Sequence, residues 1–339
     1  MTDFQEEKDV VRRTYEAIDA STPNTVTAAL EATSSPGLTW RGFAPFDEIS
    51  GVDAVAAEFW APLKRAMSGL HHRIDILFAG QNHLEAGGVW VASMGHLMGL
   101  FDQPWLGISP TGKMAFLRYA AFHRIEGGRI VDEAMYFDVP HLMVQAGCDP
   151  FPPNTGAYLV QPGPATHDGL LWAPQPPEEG IKTLRLIEAM IADLGNWDLG
   201  LPLEEELRRT WAEDMIWWGP HGIGATFTIP RYAIQHAGPF RAAFAERRPN
   251  GHVARLAEGH FGGFFGWPSF RARPKGGFLG MPETETPGEF RVIDIYRRAG
   301  DSLAENWIFI DLLHFFRGQG VDLLGRTVGI KGDRSARSV

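Results

Sequence analysis

Phe137-Asp138-Val139-Pro140-His141-Leu142 is answered 173 positions later by Ile310-Asp311-Leu312-Leu313-His314-Phe315. The echo runs forward, with Gly147 and Asp149 returning as Gly320 and Asp322, and backward, with Arg124 and Gly127 returning as Arg297 and Gly300. Further upstream the offset becomes 177: Trp40 aligns with Trp217, and Ala61-Pro62-Leu63-Lys64 with Gly238-Pro239-Phe240-Arg241. So small a drift fits loops of unequal length. A period this long points to duplication of a whole domain, since solenoid repeats run about 20 to 50 residues.

At 339 residues the chain has room for two domains of roughly 100 to 200 residues each. The repeats divide it into a first domain over 1–149, a linker over 150–183, a second domain over 184–328 and a tail over 329–339. The linker holds eight of the 24 prolines, which no regular helix or central strand absorbs. It also carries Tyr158, Leu159, Val160, Leu170, Leu171 and Trp172, too apolar for a solvated tether, so it is expected to pack on the domains.

Composition narrows the partners. A formal net charge of −10 argues against nucleic acid, whose backbone is bound by clustered Lys and Arg. No apolar run approaches the roughly 18 residues of a membrane span, and Met1 to Asp9 is polar and acidic, unlike a secretory signal. A soluble, cytoplasmic protein acting on a small molecule is expected. The single Cys148 excludes an intrachain disulfide, and the basic cluster from Lys331 to Arg337 falls in a tail to which no function is assigned.

Each repeat opens with an amphipathic helix, marked by Val11, Tyr15 and Ile18 and by Ile187, Met190, Ile191 and Leu194. A second helix is expected near Val52 to Ala66 and near Arg231 to Phe244. Long strand-like stretches follow over Ile74 to Ala79, Gly88 to Leu100, Met114 to Ile125 and Arg129 to Val139. Gly127-Gly128 and Ala299-Gly300-Asp301 mark hairpins, so the expected sheet is an antiparallel meander. His71-His72 reads as a solvated turn pair, with His83 in a hairpin after Asn82. The Gly-rich run Gly259 to Gly266 leads into strand residues, so it is no dinucleotide fingerprint and its glycines serve bulges or close backbone approach.

The fold class is thus α+β: two tandem cones, each with N-terminal helices packed on a curved antiparallel sheet. The aromatic residues Trp40, Trp90, Trp105, Tyr119, Phe122 and Tyr136, then Trp217, Trp218, Phe264, Trp267, Trp307 and Phe309, suit an apolar lining, with Trp40, Tyr119, Trp218 and Trp307 as substrate-binding candidates. An ordinary aromatic core is the competing reading.

Gly300 to Asp311, with Glu305, Trp307 and Asp311 spaced along it and Gln319-Gly320 behind, resembles the terminal strand of SnoaL-like polyketide cyclases and their ester cyclase relatives. These belong to the nuclear transport factor 2-like, or cystatin-like, superfamily. The first repeat keeps Asp132, Asp138 and Gly147 but has Ala134 where the pattern has Trp. Trp218-Gly219-Pro220-His221-Gly222-Ile223-Gly224 followed by Pro239-Phe240-Arg241 is similar to the ester cyclase branch.

The resemblance implies a cofactor-independent cyclase or isomerase in which Asp138 or Asp311 is acid and base on a carbonyl-rich or hydrophobic small molecule. It implies His96 as the pocket donor, with Arg271 or Arg273 at the corresponding strand of the second repeat. A carboxylate in an apolar cone has its pKa raised by desolvation, which suits a base acting near neutrality. The second repeat keeps Trp307 and Asp311, the first His96 and Asp138, so both cones remain candidates.

Other readings stay open. Each aspartate precedes a short helix and could simply cap it. His141 and His314 are candidates for the pocket rim or for bonds across the turn; Asp-x-x-His supplies only two ligands, so no metal is expected. The alternatives to a cyclase are a non-catalytic ligand-binding or scaffold protein, and a hydratase or epoxide hydrolase, for which no Asp-Arg-Asp set is identified. No Gly-x-Ser-x-Gly elbow is present. The fused pair is expected to form an intramolecular pseudo-dimer, sheet on sheet, existing as a monomer or as a homodimer of the whole chain.

Overall fold

A computed structural model describes residues 3–195 and 200–329; the basic cluster at Lys331 to Arg337 lies outside the described residues. The first sheet comprises β1 (Ser34–Gly42), β2 (Glu48–Ser50), β3 (Met67–Gln81), β4 (Val89–Phe101), β5 (Met114–Glu126) and β6 (Arg129–Phe137), in the order β2-β1-β6-β5-β4-β3. The second comprises β7 (Trp211–Trp218), β8 (Ala225–Phe227), β9 (Phe244–Pro249), β10 (Ala254–Glu258), β11 (Phe261–Pro274), β12 (Gly288–Ala299) and β13 (Ser302–Ile310). Its order is β10-β11-β12-β13-β7-β8, with β9 also pairing β11. The wiring is the same in both, β9 and β10 together standing where β3 stands.

The sequence pattern locates the meander strands but not β1, whose Ser34-Ser35-Pro36-Gly37 opening lacks strand character. This strand changes the sheet. The chain leaves β1 through β2 and the helices around 52–66 before entering β3, and β1 lies on β6 in parallel, as β7 does on β13. Both sheets are therefore mixed, not purely antiparallel.

The amphipathic helices bury their expected faces: Val10, Val11, Tyr15 and Ile18 from Gln5–Ala20, and Ile187 and Met190 from Pro177–Gly195. The second helix of each repeat contains a π-helical turn at equivalent positions, Ala56–Trp60 and Ala233–Ala237. β3 begins at Met67, directly after helix Ala61–Ala66, so His71 and His72 are strand residues and not a turn pair. Strand alternation exposes His71 and buries His72, which stacks on Tyr15 at 4.0 Å and bonds Asp19 at 2.7 Å.

Alternation also divides β5. Tyr119, Ala121 and His123 face the cone of their own repeat, while Arg118, Ala120 and Phe122 face the other sheet. The sheets meet there: Trp90 and Phe122 each lie 5.4 Å from Phe265, and Tyr136 Oη donates to Gly266 O at 3.1 Å. Exposed edges are covered in different ways. Leu77 on β3 bonds the linker through Gly169 O and Leu171 N, whereas Arg255 on β10 bonds the β3–β4 hairpin. Among the described residues no helix is long and apolar enough to cross a membrane.

Candidate ligand cavity in the second repeat

The second cone holds a cavity of about 300 Å³. Its walls are the rings of Trp211, Trp217, Tyr232, Phe264, Phe270 and Tyr296, with Asp294 and Asn306 among them. On β12 the even residues Val292, Asp294 and Tyr296 turn inward, and on β13 Asn306, Ile308 and Ile310 do the same. Gly263 on β11 permits this approach, since a Cβ there would lie 2.3 Å from the Asp294 carbonyl oxygen.

Asp294 is the one carboxylate among the residues lining the cavity. Burial raises its pKa to about 7, against the pull of the Asn306 bond and the charge of Arg118 behind the sheet. Asn306 Nδ2 donates to Asp294 Oδ1 and to Ile295 O, both at 3.0 Å, which fixes the carboxyl. Two imidazoles share the cavity, and burial holds both neutral at working pH, with pKa values of about 3. His236 stacks on Trp217 at 4.0 Å and His252 on Phe264 at 4.0 Å. His252 Nδ1 lies 3.2 Å from Arg255 Nη2, a donor, so the neutral ring carries its proton on Nε2. Among the described residues no group of three or more His, Cys, Asp or Glu side chains is placed to hold a metal ion.

The first cone is packed solid at the corresponding place. Phe59 lies 4.8 Å from Trp40, 4.9 Å from Trp60 and 5.1 Å from Phe137. At the 177 offset Phe59 and Trp60 become His236 and Ala237, and at the 173 offset Ala121 becomes Asp294. With Ala237 where the first cone has the Trp60 ring, the second cone is open, and the Asp294 carboxyl lies within it.

Asp138 and Asp311 lie at the junction of the repeats. Each caps the helix that follows it, accepting from His141 N at 3.1 Å and His314 N at 3.0 Å. The second oxygen of each crosses to the other repeat, Asp138 to His221 N at 2.8 Å and Asp311 to Ala44 N at 2.9 Å. Burial raises Asp311 to about 6, with these two amides and Arg291 acting in the opposite direction. The pair forms a reciprocal clamp.

None of the eleven catalytic and substrate-binding candidates named from the sequence lines the second cavity, although Trp217 and Phe264, read as lining aromatics, do. His96 faces the space between the sheets, 3.4 Å from Asp75 and beside Phe116. Trp40 is buried in the first core and donates to Glu133 at 3.2 Å; Tyr119 is buried against Tyr15 and His72. Trp218 gives its carbonyl to Arg118 at 3.0 Å, and Trp307 donates to Pro162 O of the linker at 3.1 Å. Arg271 is exposed on the outer face, paired with Glu289 at 2.6 Å, and His314 bonds the same Glu289 at 3.1 Å. His141, held near pKa 4 mainly by burial, does meet Asp138, with Arg118 and His221, in a small cleft between the repeats. The sequence reading missed Asp294, although a lone acid in Val292-Ile293-Asp294-Ile295-Tyr296 is a legible anomaly in a buried strand.

Fold and site together define an α+β protein of two cones fused in one chain, one filled and one hollow. The family model described as SnoaL-like domain matches residues 11–133, so the first repeat is a SnoaL-like domain. Among solved structures the chain is similar to a putative SnoaL-like polyketide cyclase from Jannaschia sp. CCS1, at 21% identity over 44% of this chain and 94% of that one, TM-score 0.35. AclR, a putative hydroxylase from Streptomyces galilaeus, matches at 16% identity over 43% and 98%, TM-score 0.35. IdmH, a putative polyketide cyclase from Streptomyces antibioticus, matches at 16% over 41% and 96%, TM-score 0.34. No curated protein matches the chain.

Proposed function

We propose that the second repeat binds a planar, carbonyl-bearing small molecule of about two fused rings and that Asp294 exchanges a proton with it. The observation that carries this reading is a buried carboxyl with a pKa near 7 inside an aromatic cavity. The volume of about 300 Å³ is twice the roughly 150 Å³ that accommodates one benzene ring. Such a pKa lets one group take a proton from a carbon beside a carbonyl and return it elsewhere at neutral pH. The enolate oxygen formed in between needs a donor, and the neutral His252 Nε2–H supplies one on the same cavity wall. Asp138 and Asp311, with both oxygens held by backbone amides, act in this reading as the clamp between repeats.

The test uses 2-tetralone, a bicyclic ketone, and follows exchange of its α-protons with deuterium by NMR. The protein is expected to accelerate exchange, rising with pH through about 7, and Asp294→Asn to lose about 100-fold or more. Tight binding of 2-tetralone and of 2-naphthol with no acceleration by the wild type would replace proton transfer with a carrier role.

A further inference from the structure

The filled first cone has a role in the hollow second one: we infer that Asn82 of the first repeat is a positioning residue for His252 at the mouth of the second cavity. This rests on the cavity being the ligand site. The hairpin between β3 and β4 projects onto β10, the strand at the open edge of the second sheet. Asn82 is buried there, and its side chain works at both ends. Nδ2 donates to Val253 O at 3.1 Å, and Oδ1 accepts from Arg255 N at 3.0 Å. The next residue completes the clamp, His83 N donating to Arg255 O at 2.9 Å.

These bonds hold Arg255, which lines the cavity with Gly251 and His252, and Val253, which follows His252 directly. His252 thus directly precedes Val253, whose carbonyl is held, and stands three residues before Arg255, whose backbone N–H and C=O are both taken by the first repeat. Its ring is set by Phe264 beneath and by Arg255 Nη2 at Nδ1, so a shift of Arg255 moves both the imidazole and its tautomer. The close approach is built in: at Gly80, in the same hairpin arm, a Cβ would sit 3.0 Å from Ala257 O and 3.2 Å from Leu256 Cβ. The equivalent edge of the first sheet, at Leu77, is covered by the linker instead. The first repeat therefore buttresses the cavity of its twin.

The experiment compares wild type, Asn82→Ala, Asn82→Asp and Tyr136→Phe, the last removing an inter-repeat bond to Gly266 that touches neither Val253 nor Arg255. Two readouts are taken: 2-naphthol affinity by fluorescence, and the ring-nitrogen signals of His252 in ¹⁵N-histidine-labelled protein. Asn82→Ala is expected to shift the His252 signals and weaken 2-naphthol about tenfold, the size of one lost wall interaction. Asn82→Asp, which keeps the acceptor for Arg255 N–H, is expected to fall between, and Tyr136→Phe to match wild type in both. Wild-type His252 signals and affinity in folded Asn82→Ala would overturn the inference, as would equal losses in Tyr136→Phe; if Asn82→Ala does not fold, unchanged values in Asn82→Asp do the same. Should wild type bind no 2-naphthol, the ligand reading fails, and the His252 signals alone decide the clamp.

Discussion

Replacing Asp294 by Asn should change how stability depends on pH in a way the structure specifies. In the unfolded chain the carboxyl ionises near 3.8, and in the fold near 7, chiefly because burial disfavours the charge. A raised folded-state pKa means that the contribution of Asp294 is most favourable below about 4 and is lost as pH rises to about 7. At about 1.4 kcal/mol per tenfold change in ionisation constant, the loss is on the order of 4 kcal/mol between pH 4 and pH 8. Asn does not ionise and removes this dependence. Asp311, also raised by burial, contributes equally to both proteins and cancels in the difference. Urea unfolding of wild type and Asp294→Asn at pH 4.5, 6, 7 and 8 measures it. The variant should gain on wild type across that range and the gain should level off above about pH 8. Parallel pH profiles would refute the reasoning, because they would mean that Asp294 ionises in the fold as it does in water.

Three further outcomes are expected. Asp311→Ala strands the amides of His314 and Ala44, and Asp138→Ala those of His141 and His221; each should cost about 2–4 kcal/mol in urea unfolding while leaving 2-naphthol binding intact. Ala237→Trp restores the bulk that Trp60 supplies in the first cone, so it should abolish 2-naphthol binding with little change in the circular dichroism spectrum. Lys8→Met leaves Glu258 buried without the ammonium 2.8 Å away and should destabilise by about 3–5 kcal/mol; adding Glu258→Leu should recover much of that in thermal unfolding.

The sequence by itself determined the duplication and the amphipathic helices and meander strands of each repeat, because these depend on local pattern and on spacing along the chain. Val11, Tyr15 and Ile18 fall on one helical face whatever lies opposite, and Asp138 and Asp311 stand at strand-to-helix turns visible in the residues themselves. It did not reveal the parallel placement of β1, since pairing between strands distant in sequence leaves no local signature. Tertiary structure alone decided which cone is hollow, because that depends on the summed volume of residues meeting from several elements, where Trp60 fills one cone and Ala237 leaves room in the other. It also decided what each acid does. Asp294 on β12 turns inward by strand alternation and is desolvated, while Asp138 and Asp311 reach amides of the opposite repeat, partners that come within bonding distance only when the two sheets pack.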